Sequence, residues 1–393
     1  MASSASRMAM AMAVVLLVLA AAQPGRAGPA CYTRMFSFGD SLADTGNYRF
    51  VYPNQTYQPM LRLPYGETYF NKATGRFSNG RIMLDFIADT LGLPFVPPYL
   101  GGRSVEDFAA GANFAVGRAT ALSPAFFGEN GAPIEADTVH LDMEMGWFRD
   151  LLNLFCPNDL TDCADMIDKS LFLVGEIGGN DYNTPFFNGV PFETIRNFTP
   201  SVVAKISSTI TELIGIGAKT LLVPGNLPIG CNTQYLKRFS SNKAEDYEPG
   251  TSCIHWLNEF AQYHNELLVD ELQELRKLHP GVAIIYADYY GAAMEIFVSP
   301  ENFGIDYPLV ACCGEGTYGV PGGCGVGEYK VCDDPQKYGY WDGIHPTEVV
   351  YKIIAEGLLR GSYTQPPIAT TTNSCPQLSE IVSSVEYKAI YDL

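Results

Sequence analysis

One hydroxyl, Ser41, stands in Phe38-Gly39-Asp40-Ser41-Leu42, flanked by Asp40 and Asp44 and preceded by an apolar run from Met35 to Phe38. A buried strand that stops at a Gly and then presents a Ser is one way to expose a nucleophile at a sheet end. Such a hydroxyl reacts only when a base within hydrogen-bond reach takes its proton. Five His are available, at 140, 255, 264, 279 and 345. His255 and His264 fall in a long helical pattern, His279 closes it before a Pro, and His140 lies just ahead of another helix. His345 differs because Asp342 precedes it by three residues in a tight Gly-containing loop. At that spacing a carboxylate can reach the imidazole Nδ1, fix the tautomer and stabilise the imidazolium.

Acyl transfer also requires N–H donors where the oxyanion develops, each worth about 2–4 kcal/mol. The candidates are the backbone N–H groups of Ser41 and Gly111 and the side-chain amide of Asn180. Singly, each residue has a plainer role: a capping Ser, a packing Gly, a turn-forming Asn, a chance Asp-x-x-His. Their positions relative to the secondary structure argue for chemistry.

Residues 81–91 and 143–155 carry apolar faces of helical period, as do 201–215, roughly 253–278, 289–297 and about 348–360. Between them lie buried-type strands, at 35–38, from Ser170, at 220–224 and at 282–287, and a small, apolar, Gly-containing segment at 108–117. Short apolar strands alternating with helices predict an α/β fold, a parallel sheet covered on both faces. In such sheets the ligand crevice lies at the C-terminal strand ends, where Ser41, Asn180 and the loop before Asn226 all fall. The Gly- and Cys-rich stretch 304–340 has no clear period.

Arg7 followed by an apolar run from Met8 to Ala22 reads as a signal peptide over residues 1–27, too short for a membrane span. Its removal takes away Arg7 and Arg26, so the net charge moves from −18 to −20. Such a chain is not expected to bind nucleic acid. Ten Cys, all after that segment, predict disulfides in the secretory pathway, at the cell exterior or in the Golgi lumen. Cys156/Cys163 and Cys324/Cys332 are spaced to close local loops. The sequons at Asn54 and Asn197 fit the same compartment.

The blocks Phe38-Gly39-Asp40-Ser41-Leu42 with Asp44-Thr45-Gly46-Asn47, Gly111-Ala112-Asn113-Phe114-Ala115, Gly178-Gly179-Asn180-Asp181-Tyr182 and Asp342-Gly343-Ile344-His345-Pro346-Thr347 resemble the successive blocks of the plant GDSL esterase/lipase family. That family belongs to the SGNH hydrolases, and the match runs in order from about residue 32 to 362. The resemblance implies a three-layer α/β/α, flavodoxin-like fold, a single hydrolase domain over 28–393, and neither cofactor nor metal. It implies Ser41 as nucleophile, His345 as general base and Asp342 as its orienting acid. Gly111 and Asn180 would complete an oxyanion hole with the Ser41 N–H.

Arg118 departs from the pattern, since relatives often carry a small residue there. The expected activity is hydrolysis of carboxylic esters, with acetyl or other small acyl groups on carbohydrate or a metabolite favoured. A lipase for longer chains and an idle carbohydrate-binding protein are the alternatives. A glycosidase would need a carboxylate pair, for which Asp40, Asp44 and Asp181 stay open.

Overall fold

The computed structural model describes residues 31–54, 58–315, 318 and 323–368. The expected signal segment, Cys375, and Gln55 and Thr56 of the first sequon lie outside the described residues.

The apolar runs become parallel strands β1 (Arg34–Phe38), β3 (Ser170–Val174), β4 (Thr220–Pro224) and β5 (Ala283–Ala287), and the small-residue segment supplies β2 (Gly111–Asn113). Their spatial order is β2-β1-β3-β4-β5, with Thr364–Gln365 added antiparallel beside β5. Register pairs Met35 with Gly111, Phe36 with Phe172, Phe172 with Leu221 and Leu222 with Ile285. The order reverses between β1 and β3, and the crevice of such a sheet opens at the C-terminal ends of those two strands.

Alternation along the strands builds two cores, one on each face. Phe36, Phe38, Phe172, Val174, Leu221 and Val223 face α2 (Leu141–Phe155), α4 (Thr199–Ile216) and α5 (His255–Leu278). Met35, Leu171, Leu173, Leu222 and Ile285 face α1 (Met83–Thr90), α6 (Tyr289–Val298) and α7 (Glu348–Leu359). The result is a three-layer α/β/α fold. Helix α3 (Gly179–Phe187) begins within Gly178-Gly179 after β3, and it contains Pro185. Burial of Tyr182 and Phe186 against Phe260 of α5 outweighs the weak propensity of its Gly and Pro.

Four disulfides join described cysteines: Cys156–Cys163, Cys231–Cys253, Cys312–Cys332 and Cys313–Cys324. The expected Cys156 loop forms. A Cys324/Cys332 loop does not, because strand Cys313–Gly314 pairs antiparallel with Lys330–Val331 and brings Cys312 beside Cys332. Among the described residues no cysteine is free, and no helix is long and apolar enough to cross a membrane.

Candidate active site

β1 ends at Phe38, and the chain turns at Gly39 with φ +135°, in the region where a side chain is strained. A Cβ there would sit 2.8 Å from the Glu176 carbonyl oxygen, so only Gly lets the β1 and β3 exits approach this closely. The turn is fastened by Gly39 N–H donating to Glu144 Oε2 at 2.8 Å, Asp40 N–H to Glu176 O at 3.0 Å, and Leu42 N–H to Asp40 Oδ1 at 2.9 Å. Ser41 sits at its apex.

His345 Nε2 lies 2.9 Å from Ser41 Oγ, across 304 residues of sequence. On the other side of the ring, Nδ1 is 2.7 Å from Asp342 Oδ2 and 3.0 Å from Oδ1. With Nδ1–H donated to the carboxylate, the Nε2 lone pair faces the Ser41 hydroxyl. Asp342 Oδ1 also accepts the backbone N–H groups of Gly343, Ile344 and His345 at 2.9–3.0 Å. Tyr65 donates its hydroxyl to Oδ2 at 2.7 Å, and the Phe77 ring packs on the imidazole at 4.7 Å between centroids. Burial pushes the Asp342 carboxyl up, but the His345 charge and these hydrogen bonds outweigh it and hold the group below the ordinary range. Asp342 therefore remains an anion at neutral pH.

Tyr65 and Phe77 carry no signal in the sequence, because each meets a partner more than 260 residues away. The Tyr65→Phe variant is expected to lower kcat about tenfold, the order of one hydrogen bond to a charged group, with KM unchanged. A variant with wild-type kcat would contradict the assignment.

The donors are only partly where the sequence suggested. Gly111 pairs with Met35 near the start of β1, on the far side of Phe38 from Ser41, and a Cβ there would run into the Met35 carbonyl. The structure does not bring Gly111 to Ser41. The chain beyond β2 does approach: Phe114 N–H donates to Ser37 O at 2.7 Å and Val116 N–H to Gly39 O at 3.1 Å. A turn closed by Ala119 N–H on Val116 O then carries Arg118 at φ +73°. The Asn180 amide bridges Asp40 Oδ2 at 2.9 Å and Ala119 O at 3.1 Å, so it lies between the neighbours of Ser41 and of Arg118. Among the described residues neither the Ser41 N–H nor the Arg118 N–H has a hydrogen-bond partner. The Arg118 side chain is paired with Glu135 and half exposed, so its charge is already answered.

Several buried carboxyls surround this turn. Asp44 accepts four backbone N–H groups, from Gly46, Asn47, Tyr48 and Gly117, and Asp181 accepts those of Ala121 and Leu122. Burial nevertheless lifts Asp44 to about 6 and Asp181 to about 7. Asp40 and Glu176 are in carboxyl–carboxyl hydrogen-bond contact, and burial drives Glu176 well up, so Glu176 holds the proton and Asp40 accepts it. Burial also drives Glu144 well up.

A carboxyl with a raised folded pKa binds protons that the unfolded chain, near 4, has lost, so stability falls as pH rises through that window. His264 acts oppositely: burial lowers it to about 4, and its contribution is lost as pH falls below about 6.5. The carboxyls outnumber it. A thermal scan is expected to place the highest Tm near pH 5, falling by several degrees at pH 8. A Tm that rose steadily from pH 5 to pH 8 would contradict this.

Ser41, Glu176, Asn180, Asn226, Tyr340 and Ile344 are among the residues lining a cavity of about 60 Å³. By that measure one water needs about 10–15 Å³, so the cavity holds the volume of a few water molecules.

Residues 35–358 match the family model described as GDSL-like lipase/acylhydrolase. A GDSL esterase/lipase of Arabidopsis thaliana is 48% identical over 347 residues, covering 86% of this chain and 88% of the relative. Another from Arabidopsis thaliana is 47% identical over 340 residues, 86% of each chain. Sinapine esterase of Brassica napus is 44% identical over 344 residues, 86% of this chain and 88% of the relative.

Proposed function

The chain belongs to the GDSL-like lipase/acylhydrolase family and is a carboxylic ester hydrolase; on that premise we propose that it is a serine esterase for acetyl or other small acyl groups. Ser41 Oγ attacks the ester carbonyl while its proton passes to His345 Nε2, and the carbonyl π pair becomes the oxyanion. Asp342 holds the imidazolium. The oxyanion is received by the Ser41 and Arg118 N–H groups, with the Asn180 amide as third donor when it gives up Ala119 O. Collapse breaks the C–O bond, His345 gives the proton to the leaving alcohol, and water repeats the sequence to free the acid. The observation that carries the reading is the continuous path from Asp342 through His345 to Ser41, at 2.7 and 2.9 Å.

Arg118 replaces Gly111 in this account because its unpartnered N–H, unlike Gly111, belongs to the loop that meets Asn180. A glycosidase reading is disfavoured, since Asp44 and Asp181 are engaged by backbone N–H groups and Asp40 by Leu42 and Asn180.

The small cavity beside Ser41 supports short acyl groups. Similarity to a protein named sinapine esterase makes sinapine one of the esters to try. Acetylated xylan and acetylated metabolites are the favoured natural substrates, met outside the cell, where the described disulfides are stable. In a p-nitrophenyl ester series, kcat/KM is expected to fall at least about tenfold between acetate and octanoate, because the pocket wall cannot admit the chain without strain. Equal or rising kcat/KM with chain length would replace the small-acyl reading with a lipase.

A further inference from the structure

Two acidic side chains meet where the exits of β1 and β3 are fastened together, and the hydrolytic steps use neither. Asp40, next to the nucleophile, is 3% exposed and gathers donors: Leu42 N–H on Oδ1 and the Asn180 amide on Oδ2, both at 2.9 Å. Glu176 is 6% exposed, lines the same cavity as Ser41, and is in side-chain hydrogen-bond contact with Asp40. Its carboxyl lies against the start of α3, where a Cβ on Gly179 would fall 2.9 Å from Glu176 Oε1. Glu176 therefore stands beside both Asp40 and the residue that precedes Asn180.

Two buried carboxyls in hydrogen-bond contact share a proton, and their surroundings decide which one carries it. The Leu42 and Asn180 donors and the charge of His345 favour an anion at Asp40. Burial and the charges of Asp40 and Asp181 all favour a neutral Glu176. Glu144, Tyr182, Tyr289 and Tyr351 also feel the pair, and none of these brings a positive charge.

The direction of the Asn180 amide follows from that proton. Its nitrogen meets two acceptors, Asp40 Oδ2 and, at 3.1 Å, Ala119 O. An anionic Asp40 only accepts, so it selects the NH₂ end of the amide and leaves the second N–H for Ala119 O or an oxyanion. Without Glu176 to donate, burial favours a proton on Asp40 itself, and a protonated Asp40 donates to the amide oxygen instead. The turned amide would set an oxygen against Ala119 O and the oxyanion.

We propose that Glu176 is a positioning residue for the hydrolysis: it donates its proton to Asp40, keeps Asp40 an acceptor, and thereby holds the Asn180 NH₂ group toward the oxyanion. The proposal rests on the esterase reading with Asn180 as third donor, and it adds a residue that acts through two others.

The experiment is a double-mutant cycle on the full protein with p-nitrophenyl acetate. It uses Glu176→Leu, Glu176→Gln, Asn180→Ala and the double variant Glu176→Leu with Asn180→Ala. Glu176→Leu is expected to lower kcat about tenfold, the order of one hydrogen bond to a charged group, with KM within about threefold of wild type. Glu176→Gln keeps a donor for Asp40 and should restore kcat to within about threefold of wild type. In the Asn180→Ala background, Glu176→Leu should cost less than about twofold more, because residues that act through one another are not additive. Unchanged kcat in Glu176→Leu, equal losses in the Leu and Gln variants, or the full tenfold loss repeated without Asn180 would each overturn the proposal. Should Glu176→Leu fail to fold, the infrared difference between wild type and Glu176→Gln at neutral pH decides. Loss of one protonated-carboxyl band supports the proposal, and an unchanged carboxylic-acid region overturns it. Wild-type kcat in Asn180→Ala would remove the proposal and leave Ser41 as nucleophile, whereas a wild-type protein inert to the ester and to a fluorophosphonate would remove the esterase reading itself.

Discussion

The Ser41→Ala protein is expected to lose about a million-fold in kcat on any ester the wild type turns over, the scale on which removing a triad nucleophile acts. Among the described residues Ser41 Oγ makes one hydrogen bond, to His345 Nε2. Its loss leaves the turn fastened by Glu144, Glu176 and Asp40 intact. The variant should therefore fold with a Tm within about 2 °C of wild type, as for a substitution that breaks no buried network. Normal folding separates a lost nucleophile from a lost site. A slow residual reaction is expected to survive, because the donors proposed at residues 41 and 118 would still stabilise an oxyanion formed by water. Steady-state hydrolysis with circular dichroism as control checks both halves.

Asp342→Asn is expected to lower kcat by about 10⁴ with little change in the structure around it. The carboxylate does two jobs: Oδ1 collects three backbone N–H groups and Oδ2 takes the Tyr65 hydroxyl and His345 Nδ1–H. An amide can keep its oxygen toward the three N–H groups, which places its NH₂ toward His345 Nδ1. The imidazole must then present its Nδ1 lone pair to that NH₂ and carry the proton on Nε2. A protonated Nε2 cannot accept from Ser41, so the base is lost although the distances persist. NMR of the imidazole nitrogens would report the changed tautomer. A variant with wild-type kcat would show that Asp342 does not set the proton's position.

The layered fold was legible because strand and helix periods differ and each element was long enough to show its own. The meeting of Ser41 with the Asp342–His345 pair was legible for another reason: each sits in a short turn where local sequence determines local geometry. The oxyanion donor proposed at Arg118 was not. A backbone N–H has no side-chain signature, and its location depends on how the chain past β2 curls at Arg118. Gly111 carries the motif's glycine, but its register partner is Met35, at the wrong end of β1. Glu144, Tyr65 and Phe77 were unreadable as well, since each matters through contacts between distant segments. The expected Cys324/Cys332 loop failed similarly, because the small antiparallel ladder hands those two cysteines to Cys313 and Cys312.

The central claim is that Ser41 is the nucleophile activated by His345, and covalent labelling tests it most directly. Wild-type protein treated with a fluorophosphonate probe is expected to gain one adduct per chain, mapped by peptide mass spectrometry to Ser41, with hydrolysis lost in proportion. The Ser41→Ala protein should take up none. An adduct on another residue, or esterase activity that persists after Ser41 is fully labelled, would contradict the account.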